Sequence, residues 1–207
     1  MKTKSILLFL GIVIYTSMNY AQTSRELTKS EIKKINFDFK KMSMPLIKVF
    51  EFNDKSGTNN IFLFEDTKMG SNKVSLNSKI IAFCYLKSQG VFLEKWKIND
   101  FTENEKENNI WFWIEYCQFI DIDGDGFIEP IIIYSTASNN DIYERIKIII
   151  IYKNKKYVIR AQECVLDNCR TFKKDPDFSK LPKSISVHIE KLLTRLRNEQ
   201  GLILTNH

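Results

Sequence analysis

Phe119-Ile-Asp-Ile-Asp-Gly-Asp-Gly-Phe-Ile-Glu-Pro-Ile-Ile-Ile-Tyr-Ser135 sets an acidic loop between apolar runs rich in β-branched residues. Ile110–Ile120 before the loop and Pro130–Ser135 after it read as strands, because such residues fit a pleated, half-buried surface. Pro130 is tolerated at the first residue of a strand. Inside the loop, acidic residues stand at positions 1, 3, 5 and 9, with Gly126 at position 6. That spacing wraps oxygen ligands around Ca²⁺: the carboxylates of Asp121, Asp123 and Asp125, the backbone carbonyl of Phe127, and Glu129 directly or through water. Gly126 supplies the positive φ of the sharp turn. Position 12, where an EF-hand carries its closing Glu, is Ile132, and no helix flanks the loop. The ligand pattern therefore sits on a β scaffold.

Working outward, the period stays extended from residue 46 to 161. Leu46–Phe52 and Ile61–Glu65 form one hairpin through Asn53-Asp-Lys-Ser-Gly-Thr-Asn59, and Ile80–Leu86 and Val91–Ile98 form a second through Lys87-Ser-Gln-Gly90. Lys68–Lys79 reads as a polar loop, and Asp100–Asn109 as a charged connection. Beyond the acidic loop, the polar stretch Thr136–Asp141 leads into Ile142–Tyr152, and Lys153-Asn-Lys-Lys156 turns it back into Tyr157–Arg160. About eight strands joined by short turns predict antiparallel pairing in meander order, with no helical crossover to build a doubly wound sheet. Thr28 and Glu31 have capping-box spacing, so a short helix is expected there, covering a sheet edge or face. Ile185, Ile189, Leu192, Leu193 and Leu196 share one face of a helix from about Ser184 to Gln200, stopped by Gly201. The expected class is α+β, mainly β, with residues 22–207 forming one domain.

Residues 1–21 have a basic start, an apolar core from Ile6 to Tyr15 and Ala21 before Gln22, the pattern of a cleaved secretory signal too short to span a membrane. Export is the expectation, to periplasm or medium. The net charge of +6 falls to +4 once Lys2 and Lys4 are removed, and the remaining charges are interspersed. No single basic face emerges, which argues against nucleic-acid binding. Of the four cysteines, Cys164 and Cys169 are spaced to close a small disulfide loop. Cys84 and Cys117 either pair across neighbouring strands or remain buried thiols. Zinc is disfavoured: there is no C-x-x-C, and the only histidines are His188 and His207.

No Gly-x-Ser-x-Gly, His-Glu-x-x-His or glycine-rich phosphate loop is present, so an enzyme is the minority reading. Trp111, Trp113, Glu115 and Cys117 alternate onto one face of their strand. They serve either a sheet buried on both sides or, beside the acidic loop, a surface on which Trp111 and Trp113 stack against glycan. His188 is expected at a surface or edge.

From Phe50 to Leu196 the order of features resembles a family of secreted bacterial proteins named for surface polysaccharide biosynthesis. The resemblance rests on Phe52-Asn-Asp-Lys-Ser-Gly57, Phe62-Leu-Phe-Glu65, Trp96-Lys-Ile-Asn-Asp-Phe101, Phe119–Glu129, Lys147-Ile-Ile-Ile-Ile-Tyr152, Lys156-Tyr-Val-Ile-Arg160, Asp175-Pro-Asp-Phe178 and Leu181-Pro-Lys-Ser184. The acidic loop is also similar to the calcium loops of integrin-type repeats. Where the family tends to carry a Cys and a Val-Ser-Pro stretch, this chain has Ser135–Asp141. The resemblance implies a cell-envelope role and supplies no reaction or catalytic residue. The expected function is a non-enzymatic exported protein with one structural calcium loop, assisting surface polysaccharide assembly or binding glycan. The alternatives are an inhibitor or immunity-type protein that uses Lys68–Lys79 or Thr136–Asp141 against a protein partner, and a carboxylate-dependent hydrolase.

Overall fold

The structure is a computed structural model, and it describes residues 24–39, 42–69, 75–103, 107–138 and 143–204. The expected signal segment, 1–21, lies outside the described residues. The mainly-β, antiparallel reading holds, but the single sheet of about eight strands is corrected. Among the described residues, eleven strands form two sheets of five and six. The first sheet is a meander of β1 (Arg25–Glu26), β2 (Leu46–Asp54), β3 (Gly57–Met69), β4 (Ser75–Ser88) and β5 (Val91–Phe101). The second has the order β11 (Thr171–Lys174), β10 (Lys155–Cys164), β9 (Tyr143–Tyr152), β8 (Glu129–Ser138) and β6 (Glu107–Phe112). β7 (Gln118–Ile120) pairs with the start of the same β8.

The expected strand Ile110–Ile120 is thus two strands. A 3-10 turn, Ile114–Tyr116, interrupts it after Trp113, whose N–H donates to the Ile133 carbonyl at 2.9 Å. The expected alternation through Glu115 and Cys117 stops at that turn. Both hairpins of the first sheet form as read, and β3 and β4 extend well into the expected polar loop Lys68–Lys79. Likewise β8 takes in Thr136–Ser138, while residues 139–142 lie outside the described set.

Both faces of both sheets are covered, which explains continuous apolar runs instead of strict alternation. Phe52, Ile61, Leu63, Ala82, Trp96 and Ile98 of the first sheet meet Ile110, Phe112, Ile132, Tyr134, Ile149 and Ile151 of the second. On the far face of the second sheet, Ile131, Ile133, Ile146, Ile148 and Ile159 pack under α2 (Lys183–Gln200). Ile185, Ile189, Leu192, Leu193 and Leu196 of α2 are the buried ones, as its periodicity predicts, and Gly201 closes it in the left-handed region at φ 70°. On the outer face of the first sheet, Val49, Phe62, Phe64 and Phe83 are covered by the segment from Leu27 to Leu46. That segment begins with α1 (Lys29–Ile32), a single turn held by the expected capping box: Glu31 N–H to Thr28 Oγ1 at 3.3 Å and Thr28 N–H to Glu31 Oε2 at 2.8 Å.

Cys164 and Cys169 are disulfide-bonded. Cys84 and Cys117 are free, and burial pushes both thiols up to about 12; of the two readings open from sequence the free-thiol one holds, with Cys84 buried and Cys117 half-buried. His188 is half-buried, its Nε2 at 2.6 Å from Gln118 Oε1. No helix among the described residues is long and apolar enough to cross a membrane.

Candidate metal centre

β7 and β8 are antiparallel neighbours, with Ile120 opposite Glu129, so the acidic loop is pinned at both ends by ladder pairing. Within it, short side chains bond the backbone ahead of them and set the curl. Asp121 accepts from the N–H of Gly124 at 2.8 Å and of Gly126 at 2.9 Å. Asp123 accepts from Asp125 N–H at 3.1 Å, and Asp125 from Phe127 N–H at 2.9 Å. Glu129 reaches back to Ile122 N–H at 2.7 Å. The outcome is a group of three carboxylates, Asp121, Asp123 and Glu129, whose oxygens lie within 4.8 Å of one another and could hold a metal ion. Asp125, expected as a third Asp ligand, is outside that group, its carboxylate engaged with Phe127 N–H. Phe127 is 43% exposed, two residues before β8.

The first sheet latches this loop, which the sequence alone does not announce. Lys55, in the β2–β3 turn, donates its N–H to the Gly126 carbonyl at 2.9 Å and its Nζ to the Asp125 carbonyl at 2.5 Å. Asp54 Oδ2 accepts from Ile128 N–H at 3.4 Å. Gly126, at φ 87°, lies against the Lys55 stem, so a Cβ there would both strain the backbone and collide with it. A cavity of 490 Å³ opens beside the loop, lined by Trp96, Phe127, Glu129 and Lys153 among others.

Carboxylate oxygens are hard donors and suit a hard cation. Electrostatics favour a cation as well. Glu129 is 2% exposed, and burial, then the charges of Asp123, Asp125 and Asp121, push its carboxyl up to about 7 in the metal-free chain. A carboxyl raised in the folded state binds more protons there than in the unfolded chain. Metal-free stability should therefore fall as pH rises from about 4.3 to about 7. Urea unfolding of chelated protein at about pH 5 and about pH 7.5 should show that fall, and Glu129→Gln should show less of it.

Trp111 and Trp113 are brought together, but not beside the acidic loop. Trp111 is opposite Ser135 on β8, six residues from Glu129, which is about 20 Å along the strand. They line a separate cavity of 540 Å³ on the α2 side of the second sheet, together with Glu144, Glu163 and Arg170. Nothing in the spacing of Glu144, Glu163 and Arg170 singles them out; only the register, with Glu163 opposite Glu144, makes them neighbours. The chain matches no family model, no curated protein and no solved structure.

Proposed function

We propose that the chain is an exported, non-enzymatic protein of the cell envelope or medium, whose β-sandwich is braced by one Ca²⁺ in the loop Asp121–Glu129. Its task on this reading is to assist surface polysaccharide assembly or to bind glycan. The observation that carries the metal is the convergence of Asp121, Asp123 and Glu129 within 4.8 Å, with Glu129 buried. Three carboxylates so close repel one another, and burial removes the water that would screen them. Loop ends fixed by β7 and β8, and the Lys55 latch, make the ion a structural clamp rather than a switch. The Cys164–Cys169 disulfide and the signal-like opening residues support export.

Thermal unfolding of residues 22–207 with Ca²⁺ and with chelator tests the clamp. A ligand bound only by the native state at 100 times its Kd adds about 2.7 kcal/mol. For a chain of this size that is roughly 5–10 °C in midpoint. The rise should scale with Ca²⁺, exceed that given by Mg²⁺, and vanish in Asp123→Ala. No rise in the wild-type chain sinks the calcium reading.

A further inference from the structure

We propose that the cavity floored by the far end of the second sheet is a saccharide-binding cleft, with Trp111 and Trp113 as its ring-stacking walls and Glu144 as its hydrogen-bonding group. This deepens the reading of the chain as a binding protein and rests on it.

The cleft has a cause in the sequence. Along the face of β8 that meets α2, Ile131 and Ile133 are followed by Ser135 and Ala137. Small side chains replace large ones just where α2 ends at Gln200. The sheet runs on beyond the helix, and the hollow so left measures 540 Å³, within the range of about 300–1,000 Å³ typical of small-ligand sites. Beneath the lining, Trp113 Nε1 donates to the buried Ser135 Oγ at 2.7 Å. The Trp113 ring is thereby held in place, so little ordering of it is left for a ligand to impose.

The charge of the cleft narrows the ligand class. Glu163 is fully engaged: one oxygen accepts from the Ile203 and Leu204 N–H groups at 3.1 and 2.7 Å, the other from Arg170 Nε at 2.9 Å. Arg170 is spent on that pair and on the Cys164 carbonyl at 2.9 Å, so it offers no open fork to a phosphate or carboxylate. Burial pushes the Glu144 carboxyl up, opposed by Ser135 and aided by the nearby Glu163 charge. What remains is two indole surfaces for the flat apolar face of a ring, and the Glu144 carboxyl for its hydroxyls. A neutral sugar ring presents that combination. The disulfide-closed loop Cys164–Cys169 sets the rim, and Val165 there is 76% exposed.

The test is calorimetry and saturation-transfer NMR on residues 22–207 with neutral mono- and disaccharides of glucose, galactose, mannose, rhamnose and N-acetylglucosamine. Tetramethylammonium and inorganic phosphate form the control arms. At least one saccharide should bind, and Trp111→Ala should weaken it about tenfold, the upper end of a ring-stacking contact. Glu144→Gln, which preserves shape if Trp111→Ala fails to fold, should weaken it too. No saccharide binding at tens of millimolar, binding indifferent to both variants, or binding of tetramethylammonium or phosphate in its place would each overturn the cleft. The calcium shift is read on the same samples. A normal shift without sugar binding removes the cleft alone, whereas loss of the shift removes the metal reading.

Discussion

Arg145→Met should destabilise the protein by about 3–5 kcal/mol at neutral pH, the usual cost of removing one partner from a buried ion pair. Arg145, on β9, donates Nε to Glu107 Oε1 at 2.8 Å, one terminal nitrogen to Asp100 at 3.0 Å, and the other to the Phe101 carbonyl at 2.9 Å. Lys147 adds a bond to Asp100 at 2.6 Å and Tyr134 another at 2.7 Å, while Thr136 bonds Glu107 at 2.9 Å. The side chains of Arg145, Asp100 and Glu107 are 13%, 8% and 2% exposed. Burial alone would raise both carboxyls. The bonds and charges of Lys147, Tyr134 and Arg145 nonetheless hold Asp100 below its ordinary value, and Arg145, Glu103 N–H and Thr136 do the same for Glu107. For a depressed carboxyl the stabilisation is complete above about pH 4 and is lost as pH falls through the folded value. Without Arg145, Glu107 loses its bonded cation and Asp100 keeps Lys147, so the buried carboxylates are under-compensated and take up protons more readily. The deficit of the variant should therefore shrink between about pH 7 and about pH 4. Denaturant unfolding of both proteins across that range decides it, and a deficit independent of pH would place the loss in packing instead.

The same cluster explains why two sheets could not be read from sequence. Asp100–Asn109 looks like a solvated connection because it is charged, yet it is the segment that carries the chain from β5 to β6. Asp100 and Glu107 turn inward, because Arg145 and Lys147 wait on a strand some 40 residues downstream. A run such as Ile131–Tyr134 reports burial on both faces and says nothing of which sheet lies opposite. β1 and β11 were missed for a different reason: two and four residues long, polar and mostly exposed, they carry no periodic signal.

Local signals fared better. The capping box at Thr28, the stripe of α2 and the Cys164–Cys169 loop each depend on residues within a few positions of one another. The acidic loop was legible for that reason as well, down to Asp121, Asp123 and Glu129. Lys55, 70 residues away from Asp125, was not, although its hairpin was. Trp111 and Trp113 were recognised as a pair, but their cavity is built by Glu144, Glu163 and Arg170, which only the register of β9 and β10 assembles.

Phe62→Ala should be comparably costly, about 3–5 kcal/mol and a fall of about 10 °C in midpoint, because it hollows the layer on which the N-terminal segment rests. Phe62 is fully buried. Its ring stacks on Phe37 at 4.9 Å and 18°, and meets Phe39 edge-on at 5.4 Å, Tyr85 at 5.9 Å and Phe92 at 6.4 Å. Phe37 and Phe39 belong to the segment between α1 and β2. Their rings, beside Ile32 and Ile35, hold that segment to the sheet, so removing the ring they pack on should release it before the sandwich itself opens. Hydrogen exchange separates this from general weakening. The Leu27 N–H, bonded to the Val49 carbonyl at 2.8 Å, should lose protection by more than the global change. Amides of β8 and β9, in the other sheet, should follow the global change alone. Uniform loss of protection would mean that the N-terminal layer and the sandwich unfold as one unit. A cost under about 1 kcal/mol would mean that the ring cluster is not packed tightly enough to hold the layer at all.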